Sequence, residues 1–167
     1  MDTYRTIVSK RDTRAFLEQP VPEETVRRIV QAGRMAGSSK NTQPCRFVII
    51  DDQAVKEEFA KCGDFATWIP QAPLVVAIAV IGGTRPEFDA GRAAQNMMIA
   101  AWAEEVGSCP ISLHHQECAV AALGLPGDAH VPVAVGFGYR AKPPKRVPEA
   151  ARLPWDEYVH RNQWTGR

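Results

Sequence analysis

Apolar residues recur along this chain with two distinct spacings. Over residues 23–36, Val26, Ile29, Val30 and Met35 follow a helical period behind Val21-Pro22-Glu23-Glu24, where proline and acids suit a first turn, so an amphipathic helix is predicted. Weaker helical patterns cover 55–62 and 117–123, the second stopped by Gly124 and Pro126. Residues 46–50 form a short β-branched run closed by Asp51-Asp52, and read as a strand ending in a turn. Residues 74–80 are continuously apolar between Pro73 and Ile81-Gly82-Gly83, which predicts a strand buried on both faces. Residues 131–139 alternate before reaching Gly136 and Gly138, and suggest one more strand.

The longest helical pattern spans 89–106, and between Ala93 and Ala103 only Gln95 and Asn96 are strongly polar. Such a helix must be covered nearly all round. Its small residues Gly91, Ala93, Ala94, Ala100 and Ala101 admit a close neighbour, which places it at the domain centre or in a subunit interface. After Arg140 a stiff arm, Lys142-Pro143-Pro144-Lys145, leads to the aromatic stretch 155–164, which needs burial on its own subunit or a neighbour. Four helices and three or four strands, without regular βαβ alternation, predict an α+β fold. The reading is a single domain over 1–167, with 140–167 as an extended tail.

Composition narrows the function. At 167 residues the chain makes about one domain, and twenty Lys+Arg against nineteen Asp+Glu leave a net charge of +1, which argues against a nucleic-acid or membrane-surface binder. At 45% hydrophobic and 23% charged it can build a core. The longest apolar stretch, 72–81, is half of the roughly 20 residues that span a bilayer, and Met1-Asp2-Thr3-Tyr4-Arg5 opens no secretory signal. A cytoplasmic protein with reduced thiols is expected, since Cys45, Cys62, Cys109 and Cys118 form no Cys-x-x-Cys pair. Cys109, His114, His115 and Cys118 lack the spacing of a zinc knuckle, so no metal site is expected. No Gly-x-Gly-x-x-Gly follows a strand and no Walker loop is present.

Two constellations carry chemistry. Lys10-Arg11-Asp12-Thr13-Arg14, if helical, sets Lys10 and Arg14 four apart on one face, and converging cations suit a phosphate dianion. Gly37-Ser38-Ser39-Lys40-Asn41-Thr42-Gln43-Pro44 is a polar run whose amides and hydroxyls can read the edge of a planar heterocycle. With Ala15-Phe16, Pro20-Val21-Pro22-Glu23-Glu24 and the strand Phe47-Val48-Ile49-Ile50, this order resembles the N-terminal half of the nitroreductase superfamily of FMN-dependent oxidoreductases. Asp89-x-Gly91-x-Ala93-Ala94-Gln95-Asn96, Gly107-Ser108-Cys109-Pro110-Ile111-Ser112, Leu123-Gly124-Leu125-Pro126 and Arg152-Leu153-Pro154-Trp155 follow in the family's order, so the resemblance covers nearly the whole chain.

The resemblance implies a central, mainly antiparallel sheet flanked by helices, in an intertwined homodimer whose C-terminal tail reaches the partner. It places Lys10, Arg11, Asp12 and Arg14 at bound FMN, with Arg14 at the pyrimidine edge and Arg152 as a second phosphate clamp. Ser38, Ser39, Asn41 and Gln43 would come from the partner, and the backbone of Pro110, Ile111 and Ser112 would approach the ring. FMN performs the hydride transfer itself, so the protein needs to hold and polarise it. Arg14 is the candidate catalytic residue, a cation that stabilises negative charge on the reduced ring. The implied activity takes hydride from NADH or NADPH and reduces a nitroaromatic, quinone or related small acceptor in a ping-pong cycle. The alternatives are a flavin-modifying or dehalogenating branch of the family, or a non-enzymatic flavin-binding or metal-binding module.

Overall fold

The computed structural model describes residues 2–144, 148 and 151–166; Lys145 of the proline-rich arm lies outside the described residues. Strands β1 (Cys45–Ile50), β2 (Leu74–Val80), β3 (Val106–Ile111) and β4 (His130–Tyr139) form one sheet in the order β1-β2-β4-β3, with every strand pairing antiparallel. Around it lie α1 (Thr3–Ser9), α2 (Glu23–Arg34), α3 (Gln53–Ala60), α4 (Pro86–Ala103), α5 (Gln116–Ala122) and the short α6 (Trp155–Tyr158). The α+β fold, with helices flanking an antiparallel sheet, is the one expected from the sequence. No described helix is long and apolar enough to cross a membrane.

The unbroken apolar run of β2 is explained by its place in the middle of two cores. Leu74, Val76, Ile78 and Val80 pack with residues of α2 and α4, whereas Val75, Ala77 and Ala79 pack with Phe59, Ile69 and Ala119 on the other face. Helix α2 carries Glu23 and Glu24 in its first turn, where they favour the positive end of the helix dipole, and Arg28 reaches Glu104 at 2.6 Å, just past α4. Gly33 lets these helices close up: a Cβ there would stand 2.7 Å from Met97 Cγ. Among the described residues of one chain, α4 is covered on one side only. Ala90, Ala93, Ala94, Met97 and Ala101 are buried, while Gly91, Arg92, Gln95 and Asn96 are exposed and Ile99 and Ala100 half-buried.

Away from the basic segment, the structure departs from the sequence reading in its elements and in its cysteines. Helix α1 was not expected, because it buries only Thr6 and so shows no apolar stripe; its local signal is Asp2, whose side chain accepts from the Tyr4 N–H. Strand β3 is hidden by Gly107 and Pro110, and Val106 belongs to it rather than to the preceding helix. That helix ends at Ala103, and Glu105 takes a left-handed φ of 62°. Proline is tolerated in β3 because this is an edge strand. Finally, Cys62 and Cys118 are disulfide-bonded with Cα atoms 5.4 Å apart, which corrects the expectation of four reduced thiols. The reason is tertiary: α3 and α5 lie side by side over the same face of the sheet.

Candidate active site

The basic segment 10–14 is extended rather than helical, so the expected i,i+4 pairing of Lys10 and Arg14 does not occur. Helix α1 stops at Ser9, and the chain is then captured by the free edge of β3. Asp12 forms a parallel bridge with Ser108, and the Thr13 N–H donates to the Ser108 carbonyl at 3.0 Å. Further on, the Leu17 N–H donates to the Tyr139 carbonyl at 2.8 Å. An open sheet edge offers unpaired N–H and C=O groups, and satisfying them outweighs one more helical turn. Close seating depends on Gly107, since a Cβ there would stand 2.6 Å from Thr13 Cγ2 and 2.7 Å from Arg140 Cγ. Gly107→Ala is therefore expected to cost about 1–3 kcal/mol by overpacking. Faster hydrogen exchange at the Thr13 amide, alongside a lower melting point, would check it; unchanged protection of that amide would refute the seating.

The cations of this segment converge on the edge of β3. Lys10 Nζ is paired with Asp12 and lies 3.3 Å from Met98 Sδ. Arg11 Nη1 donates to the Val8 and Lys10 carbonyls, each at 2.8 Å. Arg14 is exposed and borders the Cys109 thiol. Burial pushes that thiol above its usual range, and Arg14 and Lys10 oppose the rise by favouring the thiolate. Buried polar atoms here that lack a hydrogen-bond partner among the described residues include Arg11 Nε and Ser108 Oγ, the latter on a residue with no exposure at all. Both are donors, so an oxyanion-bearing ligand suits them. Ser108 was not singled out from the sequence, and only its position beside Asp12 reveals it.

The polar run after α2 forms a strained loop. Lys40, Asn41 and Gln43 have φ of 50°, 54° and 49°, in the left-handed region that side chains other than glycine seldom adopt. The loop is held by its own polar groups. The Gln43 N–H donates to Ser38 Oγ at 2.8 Å, and Arg46 Nη1 donates to the Gln43 carbonyl at 2.8 Å. Ser39, Asn41 and Gln43 are exposed, and such strain is characteristic of binding segments. Pro110 and Ile111 end β3 and Ser112 follows it, with Ser112 exposed. No described hydrogen bond or ion pair joins Ser38, Ser39, Asn41, Gln43 or Arg152 to the 10–14 segment. Arg152 stands on the exposed tail.

The soft-ligand cluster does not assemble. Cys118 is consumed by its disulfide, and His115 Nε2 lies 3.0 Å from Asp64 Oδ1 while His114 Nδ1 accepts from the Asp64 N–H at 3.2 Å. Among the described residues no group of three or more His, Cys, Asp or Glu side chains is placed to hold a metal ion.

Comparison with known proteins follows the same lines. The chain is 29% identical to the NADPH-flavin oxidoreductase of Vibrio harveyi, over 98% of this chain and 75% of that one. It is 27% identical to the 5,6-dimethylbenzimidazole synthase of Rhodospirillum rubrum, over 87% and 85% of the two chains. The solved structure of the NADPH:FMN oxidoreductase from Vibrio harveyi complexed with NAD+ superposes with a TM-score of 0.89 at 26% identity, covering 99% of this chain and 79% of that one. A sequence profile of the Nitroreductase family matches residues 7–63 and 65–139, which is most of the chain, and with the fold and the captured basic segment it shows that this protein belongs to the nitroreductase family.

Proposed function

We propose that the chain is a homodimeric, FMN-dependent NAD(P)H oxidoreductase that reduces a nitroaromatic, quinone or related small acceptor by a ping-pong mechanism, in the cytoplasm where its nicotinamide donor is held. The observation that carries this reading is the pair of orphaned donors, Arg11 Nε and Ser108 Oγ, buried beside the cations Lys10, Arg11 and Arg14. The residues present thus fit FMN. Lys10, Arg11 and Ser108 would hold its phosphate, with Asp12 positioning Lys10 through their ion pair, and Arg14 would meet the pyrimidine edge. When bound, FMN supplies the hydride chemistry, accepting from the nicotinamide and passing reducing equivalents to the acceptor.

The protein's own part is electrostatic. Arg14 is the exposed guanidinium of the segment, and a fixed cation there favours the form of the ligand that carries more negative charge. The backbone from Pro110 to Ser112, at the end of β3, lines the same edge of the sheet. Among the described residues, no hydrogen bond or ion pair joins the loop Ser38–Gln43 or Arg152 to the basic segment of their own chain. Supply from a second subunit is supported by the uncovered side of α4 and by the exposed tail aromatics Trp155, Tyr158 and Trp164.

Two variants test these roles. Arg152→Ala is expected to weaken FMN binding by about ten- to a hundredfold, the usual loss for a charge-assisted contact of about 1.5–3 kcal/mol, while riboflavin binding is nearly unchanged. Equal losses for both flavins in titrations would place Arg152 elsewhere. Arg14→Ala is expected to lower the midpoint potential of the flavin-saturated protein by roughly 30–65 mV, the same energy spread over two electrons. An unchanged potential removes Arg14 from the ring.

The overall activity is checked by bleaching of the flavin absorbance with NADH or NADPH and its return on adding an acceptor. A protein that binds FMN but is never bleached would be a passive binder. A second reading, a flavin-modifying branch, is supported by the likeness to the 5,6-dimethylbenzimidazole synthase. Stoichiometric disappearance of the flavin in air after reduction, in place of its reoxidation, would select it.

A further inference from the structure

Apart from the basic segment, one cavity has the features of a second binding site. It encloses about 360 Å³ between the C-terminal end of α2, the start of α4 and the loop leading into β1, within the size range of small-molecule pockets. Val30, Phe47 and Ala93 supply apolar wall, and Asp89 and Cys45 also line it. Asp89 is only 3% exposed and its Oδ2 is buried with no hydrogen-bond partner among the described residues. A buried carboxylate oxygen without a donor is costly, so its retention in a lined cavity calls for a ligand that brings one. The neighbouring Cys45 thiol is held above its usual range, first by burial and then by Asp89, against Arg46.

The cavity also carries the opposite sign of charge. Arg34 and Arg46 line it and are exposed, while Asp89 is buried. Arg34 Nη1 is engaged by Gln31 and Arg46 Nη1 by the Gln43 and Cys45 carbonyls, and Nη2 of each makes no hydrogen bond among the described residues. Two guanidinium groups on the lining disfavour a simple cation, and Asp89 disfavours a simple anion. We propose that this cavity binds a small zwitterion, an apolar α-amino acid or close analogue, with its ammonium on Asp89, its carboxylate on Arg34 and Arg46, and its side chain against Val30 and Phe47. Because the cavity is backed by the strained loop at Ser38 and Gln43, occupancy would stiffen that loop.

The test uses the intact, FMN-loaded protein with three probes: L-phenylalanine, phenethylamine, which lacks the carboxylate, and 3-phenylpropionate, which lacks the ammonium. Alkylation of Cys45 by iodoacetamide at alkaline pH, followed by peptide mass spectrometry, reads occupancy apart from the buried Cys109. L-phenylalanine is expected to protect Cys45 saturably, and the other two at least about tenfold less well, as loss of a charge-assisted contact implies. Asp89→Asn is expected to weaken that protection by about tenfold or more. Arg34→Ala, at an exposed position that leaves the core intact, is expected to weaken L-phenylalanine and leave phenethylamine unchanged, and it decides the matter if Asp89→Asn fails to fold. The proposal is overturned if none of the probes protects Cys45, or if all three protect alike. It is equally overturned if Arg34→Ala affects L-phenylalanine and phenethylamine equally, if Cys45 is blocked without probe by a second copy of the chain, or if removing FMN creates a site that FMN then competes for.

Discussion

Protein purified in air is expected to show two free thiols, Cys45 and Cys109, and removal of the Cys62–Cys118 bond is expected to cost about 4 kcal/mol. The bond closes a loop across a sequence separation of 56 residues. In the chain-entropy account a loop of that length restricts the unfolded ensemble by about this amount. In the folded state it ties α3 to α5, which together cover the face of the sheet formed by Val75, Ala77 and Ala79. For a domain of this size each kcal/mol shifts the melting temperature by about 2–4 °C, so a Cys62→Ala/Cys118→Ala variant should melt roughly 8–16 °C lower. Reductant should lower the wild type by a similar amount and leave the variant where it is. Because glutathione holds most cytoplasmic thiols reduced, the measurement belongs to the air-oxidised protein. Four thiols titrating in denatured, unreduced protein would dispose of the bond, and with it the predicted shift.

Deleting the tail from Arg152 onward is expected to release the flavin and dissociate the dimer in one transition, with FMN affinity falling more than about a hundredfold. With Arg152 in its proposed role, the deletion removes one phosphate cation, about ten- to a hundredfold by itself. It also removes Trp155, Tyr158 and Trp164, which are 77%, 72% and 72% exposed in the single chain and belong to neither core among the described residues. Obligate interfaces typically exceed roughly 2,000 Å², and apolar burial contributes about 25 cal/mol per Å², so losing these rings removes a substantial part of the association energy. In the proposed dimer the loop Ser38–Gln43 then leaves with the departing subunit. Sedimentation and flavin fluorescence on the truncated protein check both halves of the claim. A monomer that still holds FMN stoichiometrically at micromolar concentration would defeat it.

The legible and illegible parts of the molecule divide along the range of the interactions. β2 could be read directly, since burial on both faces leaves no polar position in 74–80, and α2 could be read from its stripe and its acidic first turn. The segment from Lys10 to Arg14 takes a conformation other than the one its spacing predicts, because local spacing suggests a helix while the open edge of β3 captures an extended segment. Strand β3 was obscured by its own glycine and proline, which are tolerable only because it lies at an edge. Ser108 and Asp89 stood inside motifs of the family's order, but nothing local marked them as unpartnered, since an orphaned hydroxyl or carboxylate is defined by what surrounds it.

By itself, the sequence determined the α+β class, the positions of most helices and strands, and the family, because hydrophobic period and motif order are properties of neighbouring residues. Only the tertiary structure decided that Cys62 meets Cys118, that Asp12 bridges Ser108, that α4 keeps one side uncovered, and that Asp89 is buried without a partner. Each of these depends on contacts between segments far apart in the chain, whose free energy is set by packing and by the satisfaction of buried polar groups, and no local window of residues contains it.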